Sequence, residues 1–121
     1  MHTAVNPGCE FDLPVGLIGW SQDSIAGTFR DGTDVQASIN ALRGVTNDQR
    51  RAFIATYPLI RVASFEGQGW ITLDNRRLFV FRSLLLPTTP ITVRLATYEE
   101  AQELRRKLTT RDEGATIVIR N

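Results

Sequence analysis

Asp74-Asn75-Arg76-Arg77 puts a carboxylate, a carboxamide and two guanidinium groups on four consecutive positions. The segment before it, Trp70-Ile71-Thr72-Leu73, has the composition of a strand. After it, Leu78, Phe81 and Leu85 recur at i, i+3 and i+7 as the buried side of a helix. The four residues therefore stand where a helix opens. Unpaired amides and the positive end of the helix dipole favour an anion there. Two arginines at that end oppose the dipole, at a few tenths of a kcal/mol per charge in such exposed sites. A bound anion between dipole and guanidinium groups would offset this. The chemistry on offer is phosphate-directed: Arg76 and Arg77 bind the phosphate and stabilise charge developing on it. Asp74 serves as general base or metal ligand, and Asn75 contacts the substrate. A structural reading competes, in which Asp74 caps the helix and pairs with Arg77 at i+3 for about 0.3 kcal/mol. The residues alone leave both readings open.

Further candidates surround this box. The polar connection 108–114 adds Lys107, Thr110 and Arg111 as substrate-binding residues for phosphate, or forms a solvated helix end. Ser21, Gln22 and Ser24 line a pocket or serve as caps and turns. His2 and Cys9 sit in a lead-in that no element orders, which argues against a catalytic pair. No two-His or Cys-cluster spacing suggests zinc, and no Walker loop or Gly-x-Gly-x-x-Gly occurs. Trp20 and Phe81 are expected in the core, while Trp70 and Phe79 could pack there or stack on bases.

The elements that must position these residues are legible in outline. Residues 1–14 read as an irregular lead-in broken by Pro7-Gly8 and Pro14, and 15–121 as one domain. Residues 15–20 form a short strand, and Arg30-Asp31-Gly32 a tight turn. Thr33 and Gln36 match a capping box, with Val35, Ile39 and Leu42 as the apolar stripe that follows and Gly44 as its stop. A further helix runs from Asp48 to about Ala55. The segments 58–65 and 70–73 make a hairpin around the turn 66–69, and Asp74 is placed as an N-cap. Leu73 and Leu78 are spaced as a hydrophobic staple. Another strand covers 91–95. Thr97 and Glu100 form a second capping box, opening a helix that ends in Arg105, Arg106 and Lys107 as the dipole prefers. Residues 115–120 close the chain as a strand. The order predicts an α+β fold, a small mixed sheet flanked by helices.

The stretch from Asp34 to Val93 resembles the ParB/sulfiredoxin-like superfamily. Pro58-Leu59-Ile60-Arg61-Val62 is similar to its P-I-x-V strand. Asp74-Asn75-Arg76-Arg77 stands at its phosphate-binding box, and Thr89-Pro90-Ile91-Thr92-Val93 at its closing strand. The resemblance implies a box that holds phosphate groups of a nucleotide or nucleic acid. Asn75 occupies the position of the sulfiredoxin catalytic cysteine, which argues against sulfiredoxin chemistry. Asp74 replaces the glycine at which phosphate approaches the backbone, and an acid there could hold a metal ion such as magnesium. Asp74-Asn75-Arg76-Arg77-Leu78 also matches the form of the box in bacterial toxin modules. That implies an effector enzyme, a nuclease or one acting on nucleotides, with a cognate immunity protein as partner. The alternative is a non-catalytic nucleotide- or protein-binding module.

Composition sets the outer bounds. The 121 residues carry a net charge of +1, with 42% hydrophobic and 22% charged residues, as expected of a globular domain able to bury a core. Residues 1–60 sum to −2 and residues 61–121 to +3, too mild an asymmetry for a strong duplex-DNA binder. One cysteine forms no internal disulfide, and no run reaches the roughly 18 apolar residues of a membrane helix. The beginning lacks the pattern of a signal peptide. These features predict a cytoplasmic protein, or one delivered into a target cell, and no membrane partner.

Overall fold

The computed structural model describes residues 8–22, 24–65, 69–108 and 117–120, leaving aside the side chains of Phe65, Lys107 and Arg120. Among them a five-stranded mixed sheet carries the fold, in the order β1-β6-β4-β5-β2. Its strands are β1 (Glu10–Pro14), β2 (Ile18–Gly19), β4 (Arg61–Phe65), β5 (Gly69–Thr72) and β6 (Pro90–Leu95). A separate parallel pair joins β3 (Ser24–Ala26) to β7 (Val118–Arg120). The helices are α1 (Val35–Leu42), α2 (Asn47–Ile54), α3 (Asn75–Leu84) and α4 (Tyr98–Lys107). The expected α+β class, a mixed sheet with flanking helices, is observed.

Alternation along the strands sorts two cores onto opposite faces of the sheet. Val62 and Val93 face the larger core, filled by Val35 and Ile39 of α1 and by Leu78, Phe81 and Leu84 of α3. Ala63 and Ile71 face the smaller one, which Leu104 of α4 covers. Trp20 is 5% exposed and belongs to the larger core, as its strand-like setting predicted. Leu73 and Leu78, expected to form a staple, join different cores.

Several elements depart from expectation. Glu10–Pro14 is a strand, not irregular lead-in, because its backbone pairs antiparallel with β6. Residues 15–20 hold a 3-10 turn, Val15–Leu17, and only a two-residue strand. Ser24 opens β3 and is not a cap. At α1 the cap is Asp34, whose carboxylate accepts from the Ala37 amide. At α2 the box is Thr46 with Gln49. The Thr97 and Glu100 box of α4 forms as read. The hairpin of β4 and β5 also forms, its turn residues 66–68 lying outside the described residues.

Candidate functional site

The box lies where β5 hands over to α3, and the sheet register decides what Asp74 meets. In the parallel pairing of β4 with β6, Arg61 stands directly beside Arg94. Two guanidinium groups side by side need anions, and two are supplied. Glu100 of α4 accepts from Arg94 at 3.0 Å and from Arg61 at 2.9 Å. Asp74 accepts from Arg61 at 2.8 Å and from Arg77 at 2.6 Å, and its second oxygen takes the Arg61 amide at 2.7 Å. The expected Asp74–Arg77 pair at i+3 is therefore present.

The expected cap is not. Asp74 occupies the N-cap position of α3, but its carboxylate accepts from no backbone amide of that helix. Arg61 outcompetes the helix amides because it offers a charge-assisted fork as well as its own amide. Burial alone would raise the Asp74 pKa, yet the hydrogen bonds from Arg61 and the charge of Arg77 hold it below the ordinary carboxylate value. Asp74 is thus a fixed anion and a weak base. Glu100, held mainly by Arg94, falls to about 2.

Asn75 is 7% exposed and engaged with a distant loop. Its carbonyl oxygen accepts from the Ser21 amide at 2.9 Å, and its amide donates to the Ser21 hydroxyl at 2.8 Å. This reciprocal clamp closes the Ser21-Gln22 bend onto the first turn of α3. Arg77 donates to the carbonyls of Pro58 and Leu59 at 2.8 and 3.0 Å, so it braces the approach to β4. Those contacts, with Asp74, offset its position at the positive end of a helix. Arg76 differs. Half-buried as a residue, it donates to the Thr28 carbonyl at 2.6 Å in an exposed hydrogen bond and does not join the Asp74 pairs.

All four box residues border one cleft of about 1060 Å³. Ser21, Gln22, Phe29, Arg30 and Tyr57 border it as well. No family model, curated protein or solved structure matches the chain. The site is therefore read from its own geometry. Of the residues expected to join it, Thr110 and Arg111 lie outside the described residues, as does the side chain of Lys107, at the end of α4. Among the described residues no three His, Cys, Asp or Glu side chains converge as metal ligands.

The sequence placed Arg61 in a strand and Arg30 in a tight turn but marked neither of them, nor Phe29 or Tyr57, as a site residue. Arg61 starts a strand, and nothing local to it signals two carboxylates 13 and 39 positions away. Phe29 and Arg30 did carry a signal, since they adjoin the turn at Gly32, and a loop held by a tight turn is a good place for contact residues.

Proposed function

We propose that this cleft takes a phosphate group of a nucleotide or nucleic acid, and that the domain is a phosphate-directed enzyme of the ParB/sulfiredoxin-like kind. Arg76 carries the proposal. It stands on the first turn of α3, borders the cleft, and uses one guanidinium N–H on the Thr28 carbonyl. A guanidinium has five N–H donors, and anions are favoured at a helix start. Arg76 makes the phosphate contact, and Arg61, Asp74 and Arg77 form the rigid charged frame behind it. Magnesium, where used, arrives with the substrate phosphates, since both Asp74 oxygens already serve arginines. The toxin-like form of the box supports an effector role, with a cognate immunity protein as partner.

A non-catalytic nucleotide- or protein-binding module is the second reading, favoured by one observation. Asp74, the acid in the box, is held as an anion by two guanidinium groups. Such a carboxylate makes a poor general base.

The test compares wild type with Arg76→Ala in thermal unfolding, with nucleoside triphosphates and short DNA and RNA oligomers, with and without magnesium. A ligand at a hundred times its Kd stabilises the wild type by about 2.7 kcal/mol, a rise of several degrees in Tm. The variant should fold and show no such rise. An equal rise in both proteins, or none in either, would overturn the proposal. Following the stabilising ligand for turnover then separates the enzyme from the binding module.

A further inference from the structure

The cleft has a second end, and it is aromatic. Tyr57 packs edge-on against Phe53 and Phe81, with ring centroids 5.3 and 5.5 Å away. Phe81 is 3% exposed, so this cluster is anchored in the core. Phe29 lies tilted beside Tyr57 at 6.2 Å, and both rings are half-buried on the cleft wall. Arg30, exposed, follows Phe29 on the same wall.

The loop that carries Phe29 is built to hold its shape. The Phe29 amide donates to the Thr33 carbonyl at 2.8 Å, and the Gly32 amide returns to the Phe29 carbonyl at 3.0 Å. Gly32 takes φ +87°, which a side chain would resist, and Asp31 accepts from the Thr33 amide at 2.9 Å. Arg76 donates to the Thr28 carbonyl, which belongs to the very peptide that leads into Phe29. The cationic group and the aromatic wall are therefore one peptide apart.

We infer that the ligand of this cleft carries a planar ring against Phe29 and Tyr57, with Arg30 beside it, so that its class is a nucleotide with an accessible base, free or in a single strand. The inference rests on Arg76 as the phosphate contact and adds the group at the other end. The charge of the described cleft wall disfavours a duplex held by its backbone. Among the described residues, Arg30 and Arg76 are the cations bordering the cleft that are not paired with Asp74, and Asp31 and Glu103 share the wall. Duplex binding needs many neutralised phosphates. The cleft is instead at the upper end of small-ligand sites, which span roughly 300–1,000 Å³. Stacking of a base on an aromatic side chain tolerates any sequence and strengthens binding by about 5- to 150-fold per base.

The experiment measures binding of the four nucleoside monophosphates, ribose 5-phosphate and inorganic phosphate by calorimetry. Wild type is compared with Phe29→Leu, which keeps apolar bulk without a ring, and with Phe29→Trp. Wild type should prefer a nucleoside monophosphate over ribose 5-phosphate by about ten-fold. Phe29→Leu should lose most of that preference while binding ribose 5-phosphate as before. Phe29→Trp should keep it, and its added fluorescence should be quenched by the nucleotide. Ribose 5-phosphate binding as tightly as the nucleotides, or Phe29→Leu weakening both alike, would overturn the ring site and leave the phosphate reading standing. Binding of none of these compounds would overturn both.

Discussion

At the scale of single residues, the box divides its labour unevenly. Asn75 invites reading as a substrate contact because it stands among charged neighbours, yet both ends of its carboxamide are spent on Ser21. Ser21 is 2% exposed, so its amide and hydroxyl lose a buried partner when Asn75 is removed. Asn75→Ala should therefore cost about 1–3 kcal/mol, the penalty for leaving buried polar groups unpaired. Urea unfolding checks this: the midpoint should fall with the slope unchanged. A shift below about 0.5 kcal/mol, the size of an ordinary surface substitution, would mean that the Ser21 bend can reorganise. Arg76 and Arg77 also look equivalent in the sequence. They are separated only by what each reaches, a cleft-side loop carbonyl for one and the brace before β4 for the other.

At the scale of elements, local rules held at α4 and along α3, and missed at the Thr33 box, where Asp34 caps instead, and at the Asp74 cap, which Arg61 takes over. The Thr97 box is complete, and the apolar periodicity of α3 predicted Leu78, Phe81 and Leu85 as buried. It failed where pairing decides, as at β1, which owes its extended backbone to β6 some eighty positions away. The 3-10 turn shows the same dependence. The Gly16 amide donates to the Pro87 carbonyl at 2.9 Å, and a Cβ at Gly16 would sit 2.7 Å from the Pro87 Cβ and 2.9 Å from that carbonyl. Gly16→Ala must push the two segments apart, at about 1–3 kcal/mol for such overpacking. The expected outcome is a Tm lowered by several degrees, read by calorimetry. An unchanged Tm would show that the segment after α3 yields freely.

At the scale of the whole molecule, the charged frame links stability to pH. Glu100 is held at about 2, and Asp74 lies below its ordinary value. The unfolded chain therefore binds these protons more readily than the folded one. Their contribution is fully present above the ordinary carboxylate pKa of roughly 4 and is lost as pH falls from there towards 2. Urea unfolding at pH 7, 5 and 3 should show little change over the first interval and a clear loss over the second. Glu100→Gln should lower stability at pH 7 and flatten that acid loss; an equally steep loss in the variant would assign it to other groups. The sequence by itself determined what depends on neighbours a few positions away: the α+β class, the helices, the Thr97 box, the hairpin, and Asp74 to Arg77 as a place where charge gathers at a helix start. Only the tertiary structure decided what each of those charges does. Arg61 becomes the centre of the frame because a parallel register sets it beside Arg94. Asn75 becomes a clamp because folding carries Ser21 across 54 positions to meet it. Periodicity and capping are local properties of a chain, whereas a buried side chain bonds to whatever the packed fold brings within reach.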